Sequence, residues 1–460
     1  MSVTSQSVTP QYDLESLMAD LAGLEIVTDG VQVSKLSQDY YTYSPLLQDA
    51  LADKRGDVVV KVTSEAEVLR VAKACVRHKI PLTVRGAGTG NYGQCVPLEG
   101  GVILDVSGMQ QVKWVKPGIA CMEPGAKMAA IDKHTRASGW EIRMFPSTYR
   151  KATIGGFIGG GSGGIGSVTY GQLRDRGNLL ALRVVTMEEE PKVVELRGDD
   201  VYKVAHAWGT NGIITELEIP LAPAYAWSEA IVAFPDFMTS ARFGQALGNS
   251  DGIIKKMVCV CADPLPTYFA ALKSSIPTGS HVAMVLVAEC SLEPFAELVK
   301  EFNGEVCYQK TAQEASKGIT LVEYSWNHTT LHARSIDPTL TYLQTLFPAD
   351  PELKVLEHLY DHYGDEVMMH LEFIRVGGSI RPVGLQVVRY TTSDRLQEIM
   401  EYHESVDAYI FNPHTYILED GGRKTVDIQH LNFKEQVDPA GLLNPGKMKA
   451  WLERRSESEC

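Results

Sequence analysis

One glycine-rich loop, RGAGTGNYG from Arg85 to Gly93, constrains the fold of this chain more than any other stretch. It has the G-x-G-x-x-G spacing of a dinucleotide-binding loop, with glycines at positions 88, 90 and 93. A Rossmann site needs a helix directly after such a loop, because the pyrophosphate rests on the helix N-terminus. Here only residues 94–101 separate the loop from the next strand, VILDVS, and they include Pro97, Gly100 and Gly101. The sequence therefore predicts a loop between two strands with no helix.

Such a loop can still hold a diphosphate. Successive backbone N–H groups in a tight glycine turn converge on an anion, and small side chains let the phosphates approach. We expect Arg85 to add a positive charge at the rim of this loop, although an arginine here is equally suited to an internal ion pair.

Composition excludes several classes of protein. The chain has 460 residues, enough for two or three domains, with 44% hydrophobic and 22% charged residues. It contains no long apolar run and no signal-peptide pattern at its start, which predicts no membrane span and a cytoplasmic location. A net charge of −14 opposes binding to nucleic acid.

The pattern of elements predicts an α+β fold. Residues 1–223 alternate short strands and helices, for example a helix over 64–79 that Ser64 and Glu67 begin as a capping box. A second glycine segment, residues 153–166, is predicted to be a loop that another group approaches closely. Residues 224–405 show longer strands and helices without glycine clusters, and residues 406–460 are expected to return to the first domain.

The metal-ligating residue types are scattered. Of eight cysteines only Cys259 and Cys261 lie close together, and we expect buried thiols there in preference to a metal site or a disulfide. His328 and His332 stand four apart on a predicted helix, but the sequence offers them no third ligand. No metal site is predicted.

Six motifs together resemble the FAD-linked oxidoreductases of the vanillyl-alcohol oxidase type, which have a PCMH-type FAD-binding domain. They are VVVKVTSEAEVLRVAKAC, RGAGTGNYG, VILDVSGM, ATIGGFIGGGSGG, WGTNGIIT and DPAGLLNPGK. The resemblance covers about residues 40–222 and the C-terminal stretch. It implies a two-part FAD-binding domain, with a core of about 50–222, and an inserted α+β cap domain that binds substrate.

The resemblance also implies which residues hold FAD. Around the diphosphate they are Arg85, Gly86, Ala87, Gly88, Thr89, Gly90 and Asn91. Along the flavin and ribityl chain they are Pro146, Ser147, Thr148, Thr153, Ile154, Gly155, Gly156, Gly163 and Gly164, and near the adenine they are Ile213 and Ile214.

Two departures from the family refine this expectation. Covalent members often carry histidine where this chain has Thr89, so the flavin is expected to bind non-covalently. Relatives that oxidise D-2-hydroxy acids with a metal carry H-x-G-D-G-N-x-H in the cap, and this chain has no such motif.

Candidate catalytic residues lie in two segments of the C-terminal part of the chain. In FNPHTYILEDGG, His414 is a candidate base or substrate-orienting group supported by Tyr416, with a surface-loop histidine as the alternative. Arg381 is a candidate clamp for a substrate carboxylate, whereas Arg375 and Arg389 suit solvated strand faces or acid partners. On the cap side, the candidate pocket residues are Glu323, Tyr324, Trp326 and His328, unless this aromatic stretch packs in the core.

The function implied is an FAD-dependent oxidoreductase. It would transfer a hydride from a small-molecule alcohol or hydroxy acid to flavin N5 and pass electrons to an acceptor that the sequence does not identify. One alternative is a flavin reductase that uses NAD(P)H. Another is a non-catalytic flavin subunit that works with a redox partner protein.

Overall fold

The computed structural model describes residues 12–161, 163–423 and 426–458. Its first sheet has the order β1-β2-β4-β3, in which β4 runs parallel to both β2 and β3. The strands are β1 (Glu25–Val27), β2 (Val58–Lys61), β3 (Leu82–Arg85) and β4 (Val102–Asp105). The accompanying helices are α1 (Leu14–Asp20), α2 (Gly30–Leu36), α3 (Pro45–Leu51) and α4 (Glu65–His78).

Two sequence predictions are confirmed in this sheet and one is adjusted. The residues between β3 and β4, all of which are described, contain no helix, so the first glycine loop is not a Rossmann loop. Helix α4 forms as predicted, and Ser64 Oγ accepts a hydrogen bond from the Glu67 N–H. The Glu67 carboxylate, however, accepts from the backbone N–H of Thr63, so only half of the capping box is made.

The second sheet is antiparallel and has the order β5-β6-β10-β8-β9, with β7 paired to the far end of β10. Its strands are β5 (Val112–Lys116), β6 (Ile119–Met122), β7 (Trp140–Ile142), β8 (Ala181–Val185), β9 (Val193–Arg197) and β10 (Ile213–Pro223). Three helices accompany it, namely α5 (Met128–Arg136), α6 (Ile154–Gly160) and α7 (Ser167–Tyr170). Helix α6 corrects the prediction that the second glycine segment is a loop throughout.

The cap is built on an eight-stranded sheet of order β14-β11-β13-β12-β18-β19-β16-β21 beside a small sheet of order β15-β20-β17. The large sheet contains β11 (Trp227–Phe234), β12 (Lys255–Cys261), β13 (His281–Ala288), β14 (Glu305–Lys310), β16 (Thr345–Leu346), β18 (His370–Val376), β19 (Ser379–Gly384) and β21 (Tyr409–Ile410). The small sheet contains β15 (Leu340–Tyr342), β17 (Val367–Met368) and β20 (Val387–Arg389). The cap sheet thus extends to Ile410, five residues past the boundary expected at 405.

Six helices pack on the cap sheets and two follow them. Those of the cap are α8 (Phe237–Asn249), α9 (Leu292–Glu301), α10 (Ala312–Ala315), α11 (Asn327–Ile336), α12 (Lys354–Tyr363) and α13 (Ser393–Ser405). The last two are α14 (Ile428–Val437) and α15 (Lys449–Ser458). The α+β prediction is confirmed. Within the described residues, every helix is too short or too polar to cross a lipid bilayer.

A buried ion pair joins the cap to the second sheet. Lys256 Nζ in β12 donates to Glu141 Oε1 in β7 at 2.5 Å, and Trp227 Nε1 donates to Glu141 Oε2 at 2.9 Å. Both charged side chains are almost fully shielded from solvent. Because separating these charges in the interior is costly, the pair fixes the cap on the first domain.

The C-terminal segment contacts the first glycine loop and the strand before it. Leu443 forms a parallel bridge with Leu82 at the start of β3. Lys447 Nζ donates to Gly93 O at 2.7 Å, and Asn444 Nδ2 donates to Gln94 O at 2.9 Å. Residues more than 300 positions apart in the sequence therefore support the same loop.

Candidate active site

A cavity of about 490 Å³ lies between the first domain and the cap, a volume typical of small-molecule sites. The first-domain wall comes mainly from the first glycine loop, residues 146–153, helix α6 and residues 204–214. The opposite side, here called the cap wall, consists of Glu323, Trp326, Asn327, His328, Leu331, Gln344, Ile374, Val383, Leu385 and Phe411.

The first glycine loop lines the cavity with residues Gly86 to Asn91. Gly88 has φ of +63°, a left-handed conformation in which a side chain is strained, and a Cβ there would lie 2.1 Å from Arg85 Nη2. A Cβ on Gly86 would lie 2.2 Å from Thr153 Oγ1. The loop can pass this close to its neighbours only because both positions are glycine.

Arg85 is not at the rim of the loop, which corrects the expectation for its charge. Its guanidinium is buried behind Gly88, where Nη1 donates to Gln38 O at 2.6 Å and lies 3.4 Å from Cys95 Sγ. Because the side chain turns away from the cavity at the end of β3, Arg85 supports the loop from behind and does not line the site.

The second glycine segment contributes only some of its expected residues. Thr153, Gly155, Gly156 and Gly163 line the cavity, as do Pro146, Ser147 and Thr148 upstream. Ile154 instead points into the hydrophobic core. A Cβ on Gly164 would lie 2.4 Å from Phe145 O, so this glycine serves backbone packing.

Of the two residues expected near the adenine, one lines the cavity and the other does not. Ile214 lines the cavity, whereas Ile213 is fully buried against the first sheet. Consecutive residues of a strand point to opposite faces, which separates the pair. Sequence reasoning missed the neighbouring lining residues Val204, His206, Trp208, Gly209 and Gly212. Three of them belong to the WGTNGIIT motif, which was the available signal.

Three buried polar atoms at the cavity lack a hydrogen-bond partner among the described residues. They are Thr153 Oγ1, Trp208 Nε1 and Asn327 Oδ1. Unpaired buried polar atoms are costly and rare in folded proteins. Two of them lie on the first-domain wall beside the glycine loop, so the residues present fit a bound cofactor rich in hydrogen-bonding groups.

Three charged or polar side chains that line the cavity, Arg150, Glu323 and His328, contact one another. His328 Nδ1 lies 3.2 Å from Glu323 Oε2, and Arg150 Nε lies 3.2 Å from Glu323 Oε1. The hydrogen bond with His328 is the main cause that lowers the pKa of Glu323, with help from the charge of Arg150. Glu323 is therefore ionised at neutral pH and orients the imidazole of His328.

The local fold explains how His328 faces the cavity. A 3-10 helix, Leu321–Tyr324, leads into α11 through Trp326, which has φ of +50°. The Trp326 N–H donates to Glu372 Oε1 at 2.7 Å and so holds this turn. His328, one turn before His332 on α11, lines the cavity together with Glu323 and Trp326.

His332 and Tyr324 have a different position. The two rings stack with centroids 4.4 Å apart, and His332 Nε2 donates to Glu323 O at 2.8 Å. Neither residue lines the cavity. The His328 and His332 rings therefore have separate partners.

The three candidate catalytic residues from the C-terminal part of the chain lie away from the cavity. His414 is buried, with Nδ1 2.8 Å from Ser44 Oγ and Nε2 2.9 Å from Tyr342 O, so both ring nitrogens are engaged. Tyr416 packs beside Lys447, whose Nζ lies 5.2 Å from the ring centroid. Arg381 donates through Nε to Phe347 O at 2.8 Å. None of them is among the residues lining the described cavity.

Comparison with known proteins defines the class. Residues 56–195 match the family model of an FAD binding domain. The structure is similar to that of alkyldihydroxyacetonephosphate synthase, with a TM-score of 0.73 and 15% identity, over 97% of this chain and 87% of that one. The chain is a flavoprotein with the two-domain fold of the vanillyl-alcohol oxidase type, and its cofactor is FAD.

Two relatives are enzymes by name. Glycolate oxidase subunit GlcD of Bacillus subtilis is 24% identical over 438 residues, which cover 86% of this chain and 89% of the relative. D-lactate dehydrogenase of Anaerostipes hadrus is 30% identical over 182 residues, 37% of each chain. The chain is thus an FAD-dependent oxidoreductase that is similar to these enzymes.

Proposed function

We propose that this oxidoreductase oxidises a 2-hydroxy carboxylic acid that carries an apolar substituent. The observation that carries the proposal is the Glu323–His328 pair on the cap wall, with Arg150 across the same carboxylate. The names of the relatives, glycolate oxidase subunit and D-lactate dehydrogenase, point to the same class of substrate.

His328 is the proposed base. Its Nδ1 lies 3.2 Å from Oε2 of the ionised Glu323, and among the described residues Nε2 has no hydrogen-bond partner. With its proton on Nδ1, the imidazole can take the proton from a substrate hydroxyl at Nε2. Bound FAD would supply the acceptor for the hydride of the adjoining carbon. Loss of proton and hydride converts the alcohol into a carbonyl group.

Arg150 is the proposed carboxylate anchor. It lines the cavity beside Lys151, and its side chain is half exposed, so its remaining N–H groups can reach an anion that enters from solvent. A guanidinium matches the two oxygens of a carboxylate with parallel hydrogen bonds. Asn327 also lines the cavity, and its buried Oδ1 is unpaired among the described residues.

The apolar part of the cap wall favours a substrate larger than glycolate. Six apolar side chains face the cavity there: Trp326, Leu331, Ile374, Val383, Leu385 and Phe411. Covering such a surface with an alkyl or aryl substituent gains roughly 25 cal/mol for each Å² removed from water. We therefore expect branched or aromatic hydroxy acids to react best.

Anaerobic reduction of the bound flavin tests the substrate class. The enzyme is mixed with glycolate, both enantiomers of lactate and of 2-hydroxy-4-methylpentanoate, and the neutral analogue 4-methylpentane-1,2-diol, and bleaching of the flavin is followed. We expect 2-hydroxy-4-methylpentanoate to bleach fastest and the diol much more slowly. Equal rates for acid and diol contradict the carboxylate anchor, and bleaching by NADPH but by no hydroxy acid favours the reductase alternative.

A further inference from the structure

Four polar side chains form a buried square on one face of the cap sheet. Strands β12 and β18 are antiparallel neighbours, with Cys259 opposite Glu372 and Cys261 opposite His370. Residues two apart on a strand point to the same face, and directly opposed residues are neighbours across it. The two cysteines and the histidine are fully buried, and Glu372 is 2% exposed. Such a group in the middle of a core requires a partner for its charge.

The atoms that point into the square are those that bind a transition metal. The Sγ atoms of the two cysteines and a ring nitrogen of His370 all lie within 4.8 Å of one another. Cys259 Sγ is 3.4 Å from His370 Nε2, and Glu372 Oε1 is 3.1 Å from the same nitrogen. Two thiolates and an imidazole make a three-ligand set suited to Zn²⁺, and the Glu372 carboxylate lies beside this group, outside the set of atoms that are all within 4.8 Å of one another.

The surroundings of His370 prepare its Nε2 as a ligand. The backbone oxygen Leu385 O lies 3.2 Å from Nδ1 and accepts its proton, which leaves the lone pair on Nε2. Thr329 Oγ1 donates to Tyr324 O at 2.6 Å and turns its own lone pairs toward Nε2, 3.3 Å away. A histidine that binds a metal commonly donates its other N–H to a carbonyl in this way. Several lone pairs therefore converge on one point that a cation can occupy.

We propose that Cys259, Cys261 and His370 bind one Zn²⁺ ion inside the cap, with the Glu372 carboxylate next to the ion. The site is separate from the cavity, because none of the four residues is among its lining residues in the described chain. The sequence suggested only buried thiols at the C-x-C pair, since the third ligand lies 111 residues further along the chain. The adjacent strand β18 supplies this missing ligand.

The ion would position the cap wall without touching substrate. Glu372 Oε1 accepts the hydrogen bond from the Trp326 N–H at 2.7 Å, and Trp326 holds a left-handed φ of +50° just before α11. Such a conformation persists in a non-glycine residue only where its surroundings enforce it. A cation held by Cys259, Cys261 and His370 would attract the adjacent Glu372 carboxylate and so help to hold Trp326 and the start of the helix that carries His328.

Metal content and the metal's ligands test the proposal on the unmodified holoenzyme. The full chain is produced in zinc-supplemented medium and purified without chelators, and zinc, flavin and protein are quantified together. We expect one zinc per chain. X-ray absorption at the zinc edge should show two sulfur ligands at about 2.3 Å and one or two nitrogen or oxygen ligands at about 2.0–2.2 Å. A flavin-replete protein without zinc, or zinc bound by nitrogen and oxygen alone, overturns the site.

Variants assign the ligands. Cys261→Ser should lose most of the zinc or show one sulfur ligand in place of two, while the control Cys75→Ser, another buried thiol, should keep one zinc and both sulfurs. Zinc with two sulfur ligands in Cys261→Ser overturns the assignment. The X-ray absorption spectrum of the unmodified protein tests for two sulfur ligands even if a variant does not fold. A metal-free His370–Glu372 ion pair, the rival explanation, predicts no zinc.

Discussion

Tyr342 Oη in β15 accepts a hydrogen bond of 2.7 Å from Asn91 Nδ2, so the cap holds the end of the first glycine loop directly. Both side chains are buried, and the backbone oxygen of Tyr342 also accepts from His414. The first glycine loop, which we expect to bind the cofactor, therefore depends on residues that belong to the cap. This contact leads to the first prediction.

Tyr342→Phe should weaken FAD binding. The substitution leaves the buried Asn91 amide without its acceptor, which costs about 1–3 kcal/mol. We expect the dissociation constant of FAD to rise about 5- to 100-fold, measured by titrating apoprotein and following flavin fluorescence. Tyr12→Phe, which removes an exposed hydrogen bond far from the cavity, is the control. An unchanged dissociation constant means that the hydrogen bond from Asn91 to Tyr342 does not contribute to FAD binding.

Gly88→Ala should abolish flavin binding. A methyl group there combines a left-handed φ with a contact to the buried guanidinium of Arg85. The purified variant should be colourless. Gly139→Ala provides a matched control, because Gly139 also has a left-handed φ but has open space around its Cβ position. Full flavin content in Gly88→Ala contradicts the described loop geometry.

His328→Gln should slow flavin reduction by substrate by about 10²- to 10⁴-fold, as loss of a general base does. Flavin content should remain normal, since His328 lies on the cap wall. Stopped-flow measurements under anaerobic conditions give the rate. His134→Gln, on the exposed face of α5, is the control. A rate near that of the wild type removes His328 from the mechanism.

Arg150→Met should raise KM for 2-hydroxy acids about 10- to 100-fold, the loss expected for a hydrogen bond to a charged group. The neutral diol has no carboxylate to lose, so its KM should stay within a factor of two or three of the wild-type value. The ratio of the two KM values is the decisive quantity. A parallel rise for acid and diol indicates that Arg150 acts by holding Glu323 in place.

Acid should destabilise the fold through His414. Burial lowers the pKa of His414 to about 4, whereas an exposed histidine titrates near 6.5. Between about pH 6.5 and pH 4, His414 is protonated in the unfolded chain but stays neutral in the folded chain. The contribution of His414 is therefore complete above pH 6.5 and is lost by about pH 4, with a slope of about 1.4 kcal/mol per pH unit.

His414→Gln removes that slope. Urea unfolding at several pH values between 4 and 7 measures it. His403, whose pKa burial also lowers to about 4, keeps its own contribution and provides an internal comparison. An identical pH dependence in the wild type and His414→Gln contradicts this account, whatever the absolute stability of the variant.

The sequence revealed the cofactor domain because its signals are local. The glycine spacing, the breakers at Pro97 and Gly100, and the two flanking strands all lie within one short stretch. The contacts of Arg85 and His414 could not be predicted from such local patterns. His414 meets Ser44, 370 residues away, and only the folded chain shows that both of its nitrogens are engaged.

The residues of the cap wall could be predicted only in part. Glu323, Trp326 and His328 were expected near the pocket and line the cavity, whereas Tyr324, in the same stretch, packs inward on His332. The turn at Trp326 decides which side chains face the cavity. That turn depends on Glu372, which no local pattern connects to it.

The support of the first glycine loop by Lys447 has a consequence for the order of events during synthesis. Gly93 and Lys447 are 354 residues apart, which at 5–20 residues per second corresponds to roughly 20–70 s of translation. Throughout that interval the nascent loop lacks the lysine that donates to Gly93 O. We therefore expect flavin uptake to be one of the last steps of maturation, after the cap has been translated.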